Sequence, residues 1–160
     1  MRKFIGIILS IVMICALVGC GSTSNENLKN DVSVNDVVTE LENNIEFNKN
    51  ENFTDAEKLK NEYYINPDDV EEFVIKQPVM NVKANELAII KVKDESKMEE
   101  VKKGLEKRGE DLDNKWKQYL PDQYKIVQDR RFVNIGNYAI FVVDEEADKI
   151  IDSIKNILKG

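Results

Sequence analysis

Apolar side chains recur along this chain with two periods, and the switches between them lay out its elements. Val34, Val37, Val38, Leu41 and Ile45 stand at i, i+3, i+4, i+7 and i+11, one stripe of an amphipathic helix that Ser33 or Asn35 caps. The polar stretch NKNENF then reads as a loop into a second, short helix from Thr54 to about Tyr63. Asn66 before Pro67 is a strong helix start, which predicts one helical turn at 67–70. The run after it, with Phe73, Val74 and Ile75, predicts a strand over 71–76. Residues 85–93 form a clearer strand, with Ala88, Ile90 and Val92 on one face and Leu87 and Ile89 on the other. Ser96 then caps a long helix whose stripe holds Met98, Val101, Leu105, Leu112, Trp116 and Tyr119, until Pro121 stops or restarts it. Gly104 and Gly109 lie on or beside that stripe at about 1 kcal/mol each relative to Ala, and they either permit close helix–sheet approach or mark a tolerated weak spot.

RRFVNIGNYAIFVV predicts a hairpin, strands 131–135 and 138–143 around Gly136-Asn137, a dipeptide that supplies positive φ. Asp144 caps the last helix, and Ala147, Ile150, Ile151, Ile154 and Leu158 form its apolar face. LAIIKVKDE and YAIFVVDE echo one another, each a strand leading through acidic residues into an amphipathic helix. The pattern therefore predicts an α+β fold. Its core is a four-stranded antiparallel sheet from two β-β-α units, with helices packed on a face and further helices at the N-terminus.

The first twenty residues carry a different message. Arg2 and Lys3 precede a 15-residue apolar run, Phe4 to Val18, broken only by Gly6 and Ser10. That is the layout of a secretory signal peptide, and it is short for a membrane span of about 20 apolar residues. Leu17-Val18-Gly19-Cys20 resembles the lipobox of bacterial lipoproteins. The resemblance implies lipid attachment at Cys20, cleavage just before it, and anchorage on the extracytoplasmic face of the cell membrane. Cys15 would leave with the signal and Cys20 would carry the lipid, so no disulfide is expected. Residues 1–19 are then a cleaved lipoprotein signal peptide, 20–32 a flexible polar tether, and 33–160 a single α+β domain.

Charge and residue inventory narrow the chemistry. The chain has 23 basic and 30 acidic residues, a net charge of −7, and both basic residues of the signal would be lost on cleavage. So acidic a surface repels nucleic-acid phosphates, and no nucleic-acid partner is expected. Histidine is absent, which removes the usual general base and the commonest transition-metal ligand. No serine stands in a GxSxG context. DLDN (111–114) begins like a calcium loop but continues with Lys115 and Trp116 where an oxygen ligand and glycine are needed. No catalytic residue, metal or cofactor is assigned, and no enzyme is expected.

Two features suggest a binding surface. One is the inter-strand loop QPVMNVKA (77–84), with Val79, Met80 and Val82; the other is WKQYLPDQY (116–124), with Trp116, Tyr119 and Tyr124 around a proline. The competing reading makes both a lid over the core.

The stretches NPDDVEEFVIKQPVMNVKANELAIIKVKD, LEKRGEDLDNKWKQYLPDQY and GNYAIFVV resemble an uncharacterised domain found in lipoproteins of low-GC Gram-positive bacteria. The likeness runs from about Glu62 to the end, and it implies the same address and fold with no assigned activity. Gly109 departs from the pattern, where a leucine is usual. The function expected from all this is a membrane-anchored binding module for a protein, peptide or cell-envelope component. The rival readings are an assembly subunit docking onto a membrane complex and, behind it, a glycan-active enzyme working with carboxylates alone.

Overall fold

Both faces of a single antiparallel sheet are covered by helices. The computed structural model describes residue 28 and residues 32–47 and 50–160, so the apolar run Phe4 to Val18 and Cys20 lie outside the described residues. In chain order the elements are α1 (Val34–Asn44), β1 (Asn50–Phe53), α2 (Ala56–Tyr63), β2 (Val70–Pro78) and β3 (Glu86–Val92). They are followed by α3 (Met98–Trp116), α4 (Pro121–Gln128), β4 (Arg131–Ile135), β5 (Tyr138–Val143) and α5 (Ala147–Lys159). The strands lie in the order β1-β2-β3-β5-β4.

The sheet has five strands where the sequence pattern predicts four. The extra one is β1, inside the stretch read as a loop. Asn-Glu-Asn-Phe has no alternation to announce a strand; it is held by its ladder to β2, from Asn50 opposite Pro78 to Phe53 opposite Ile75. The Lys58 ammonium adds a contact 4.1 Å over the Phe53 ring.

β3 is central, and all seven of its residues are buried. Ala88, Ile90 and Val92 face one core, shared with Leu59 of α2, Val101, Leu105 and Trp116 of α3, and Ala139, Phe141 and Val143 of β5. Leu87 and Ile89 face the other, shared with Val37 and Leu41 of α1, Ile150 and Ile154 of α5, and Ile140 and Val142 of β5. Each such Leu or Ile contributes roughly 1.5–3 kcal/mol on burial. The two β-β-α units are present as β2-β3-α3 and β4-β5-α5, but their helices lie on opposite faces. The chain must travel from β3 past β5 to reach the β4 edge, and α3 with α4 covers one face on the way. The remaining face is closed by α5 and α1.

Local capping explains the boundaries. Ser33 Oγ accepts from the Asp36 N–H at 3.1 Å and Asp55 Oδ1 from the Lys58 N–H at 2.8 Å, starting α1 and α2. Asn66 Oδ1 accepts from the Asp68 N–H, giving a 3₁₀ turn at Pro67–Asp69 where one helical turn is predicted. The long helix departs from expectation. Asp94, not Ser96, does the capping, its Oδ1 accepting from the Ser96 N–H at 2.8 Å ahead of a 3₁₀ turn over Glu95–Lys97. α3 also ends at Trp116, so Tyr119 sits in the following turn rather than on the stripe, and Pro121 opens α4 at its first turn. Gly136 takes φ +55° in the β4–β5 hairpin, as its turn position predicts.

Two residues of the segment that the sequence reads as a tether make contacts with the domain. Leu28 and Val32 pack against the core under α1 and α5, and the Tyr138 hydroxyl donates to the Val32 carbonyl.

Candidate functional site

The β2–β3 connection leaves the sheet as a loop with an apolar tip. β2 continues to Pro78, so the loop proper is residues 79–85, and Val79, Met80 and Val82 are 56%, 53% and 42% exposed. The loop is tied at its return: Lys83 N–H donates to the Met80 carbonyl at 3.2 Å, and Ala84 N–H to Gln123 Oε1 of α4 at 2.8 Å. Its tip does not fold back over the sheet, which corrects the lid reading for these three residues. Beside it lies a groove of about 290 Å³ between the loop, α2 and the C-terminal half of α3.

The structure brings Val79, Met80 and Trp116 together around that groove; Val82 is on the same loop but not in the lining. Trp116 is fully buried within α3's core, and its indole N–H has no hydrogen-bond partner among the described residues. Tyr119 leans on Trp116 with ring centroids 5.8 Å apart, yet it is 54% exposed and outside the groove. Tyr124 is half-buried against the core and does not line the groove either.

Sequence reasoning missed the polar floor. Arg108 of α3 meets the buried Glu86 carboxylate at both oxygens, Nε to Oε1 at 3.0 Å and Nη2 to Oε2 at 2.6 Å. The Tyr63 hydroxyl donates to Glu86 Oε1 at 2.6 Å, while the guanidinium stacks 5.0 Å from the Tyr63 ring. Gln77 Nε2 bridges onward to Tyr63 Oη and Glu62 Oε2, both at 3.1 Å, and Lys58 Nζ pairs with Glu62 Oε1 at 2.7 Å. Burial pushes the Tyr63 phenol well above its ordinary value, and the neighbouring Glu86 charge pushes the same way. For Glu62 burial acts upward, but Lys58, Gln77 and Arg108 together hold the carboxyl below its ordinary value. The only hint in the sequence was a glutamate opening a strand that is apolar on both faces.

Two carboxylates in one groove invite comparison with a glycosidase pair. Gln77 Nε2 lies 3.1 Å from Glu62 and 3.5 Å from Glu86, so the two acids are close neighbours. Glu62 is nevertheless stabilised as an anion, whereas a general acid needs its pKa raised. The remaining cations of the groove, Lys83 and Lys115, form no ion pair among the described residues; Lys115 Nζ lies 5.2 Å over the Trp116 ring. A wider groove of about 760 Å³ runs between α4 and the start of α5, past Asp122, Asp129, Asp144 and Asp148. No group of three or more Cys, Asp or Glu among the described residues is placed to hold a metal ion, and no described helix is long and apolar enough to cross a membrane.

What the fold and groove define is an α+β domain with an exposed apolar lip over an internally neutralised charge network. Residues 43–144, from the end of α1 to just past β5, match the family described as Domain of unknown function (DUF4358), and the chain belongs to that family. Comparison with curated proteins and with solved structures gave no match.

Proposed function

We propose that this chain is a lipoprotein, anchored by a lipid on Cys20 at the extracytoplasmic face of the membrane, that works as a binding module for a protein or peptide partner. The complete four-residue lipobox after a short apolar run supports the address. One observation carries the binding role: Val79, Met80 and Val82 stand out from the surface on a loop tied at its base. An apolar cluster kept in water beside a groove marks an interaction surface. The cation-held carboxylates of the floor favour this over glycan hydrolysis.

An assembly subunit would dock through the same lip, and it differs in forming a complex that persists through purification rather than a reversible one. The test places a photo-activatable residue at Met80 in the full-length protein in intact cells, with Glu40 on α1 as the control position. A discrete adduct at Met80 and none at Glu40 is expected. Identical patterns at both positions, or no adduct at Met80, would overturn the reading.

A further inference from the structure

We infer that the groove takes an acidic peptide segment carrying an apolar anchor side chain; this rests on the binding-module reading and names its ligand chemistry. Charge is the first argument. The chain is acidic, at −7, yet its groove is lined by Lys58, Lys83, Arg108 and Lys115 against only Glu62 and Glu86. Both carboxylates are taken up within the floor, by Lys58 and Arg108. Lys83 and Lys115 form no ion pair among the described residues, and they leave a local positive field that attracts carboxylates.

Shape is the second argument. About 290 Å³ lies at the low end of the volumes that enclose a small molecule, and it suits a side chain of a larger partner. Val79 and Met80 form an apolar wall for that side chain, and a methionine adapts to its outline. Trp116 also lines the groove, adding its ring to that wall.

Trp116 is the chain's single tryptophan, so its emission reports the groove directly. The full chain in detergent micelles is titrated with three Trp-free peptides: Asp-Leu-Glu-Leu-Asp, Lys-Leu-Lys-Leu-Lys and Asp-Ser-Glu-Ser-Asp, with calorimetry as a second readout. The first peptide is expected to shift the emission saturably and to bind at least tenfold more tightly than the others. The variant K83E/K115E should lose at least tenfold in affinity for it while keeping its Tm, since neither lysine is buried. Equal binding of the basic or the serine peptide, or tighter binding of polyphosphate, would overturn the inference. A partner adduct at Met80 in cells, with no response to the acidic peptide, sinks the ligand chemistry and leaves the binding module standing. Silence in both experiments sinks both.

Discussion

Arg108 and Glu86 form a two-point ion pair, 3.0 and 2.6 Å at its two hydrogen bonds, with the Glu86 side chain only 3% exposed. The pair bolts α3 to the first residue of the central strand, directly beneath the apolar lip. A buried carboxylate survives only while its cation is present, so Arg108→Ala should cost about 3–5 kcal/mol in urea denaturation. Adding Glu86→Gln to that variant should restore part of the loss, because the orphaned group no longer carries charge. No recovery in the double variant would mean that the arginine acts mainly through packing on Tyr63.

Gly104 and Gly109 should part company on substitution. A Cβ at Gly104 would meet the Tyr63 carbonyl oxygen at 2.5 Å and Ile65 Cγ1 at 2.6 Å, where backbone has to move. Gly104→Ala is expected to cost about 1–3 kcal/mol, the range for overpacking. At Gly109 the neighbour is the Arg130 side chain, with Nε 2.6 Å from the added carbon, occupying the side of the helix where the family resemblance leads one to expect a leucine. Arg130 is able to swing away at the expense of its pair with Asp113, and alanine returns about 1 kcal/mol of helix propensity. Gly109→Ala should therefore change stability by less than about 1 kcal/mol. Equal losses at the two positions would contradict this packing.

Met80 and Ile90 test lip against core. Met80→Asp puts a charge where water already reaches and should stay within about 0.5 kcal/mol of the parent. Ile90→Asp buries an unpaired carboxylate between β3's neighbours and should cost several kcal/mol or prevent folding. Comparable destabilisation at both would return the loop to the core.

Acid should destabilise the fold through Glu42 and Glu62. The Lys76 ammonium holds Glu42 below its ordinary value against some burial, and Glu62 is lowered as described above. Both folded values lie below the unfolded one near 4.5. Their stabilisation is therefore complete above that pH and disappears as pH falls through the folded values, where the unfolded state takes up more protons. Tm should be level at neutral pH and decline below about 4.5. The decline should be shallower in Glu62→Gln; an unchanged slope there would remove Glu62 from the account.

Cys20→Ser tests the address. The variant should lose incorporation of a labelled fatty acid and accumulate as uncleaved precursor or appear in the medium. Normal lipid labelling and membrane retention would refute anchorage at this residue.

The lip of the site was legible and its floor was not. Val79, Met80 and Val82 stand out in sequence because a loop after Pro78 has no local reason to be apolar, and their exposure agrees with that anomaly. Trp116, from the separate stretch WKQYLPDQY, lines the same groove but is buried in the core, which is what the lid reading expects of it. Tyr119 and Tyr124 stand with Trp116 only by proximity in sequence. The end of α3 at Trp116 and the start of α4 at Pro121 send them elsewhere. Glu86, Arg108 and Tyr63 come from three elements, and no local pattern links a glutamate to an arginine 22 residues on.

Periodicity alone determined most elements, because a helix or strand with a buried face must repeat its apolar residues at the spacing of that face. The stripe of α1, both faces of β3 and the Gly136 hairpin were all readable in this way. Sequence alone did not disclose β1, whose four polar-rich residues are a strand only because β2 offers an edge to pair with. Nor did it decide on which face each helix lies. The stripes of α3 and α5 each need a cover, and only the path from β3 to the β4 edge places them on opposite sides. Burial of the Glu86–Arg108 pair likewise depends on that path, because it requires α3 to cross the end of β3 where Glu86 begins the strand. Local periods report what each segment needs covered; the choice of cover is made between segments distant in sequence, where loop path and shared volume count.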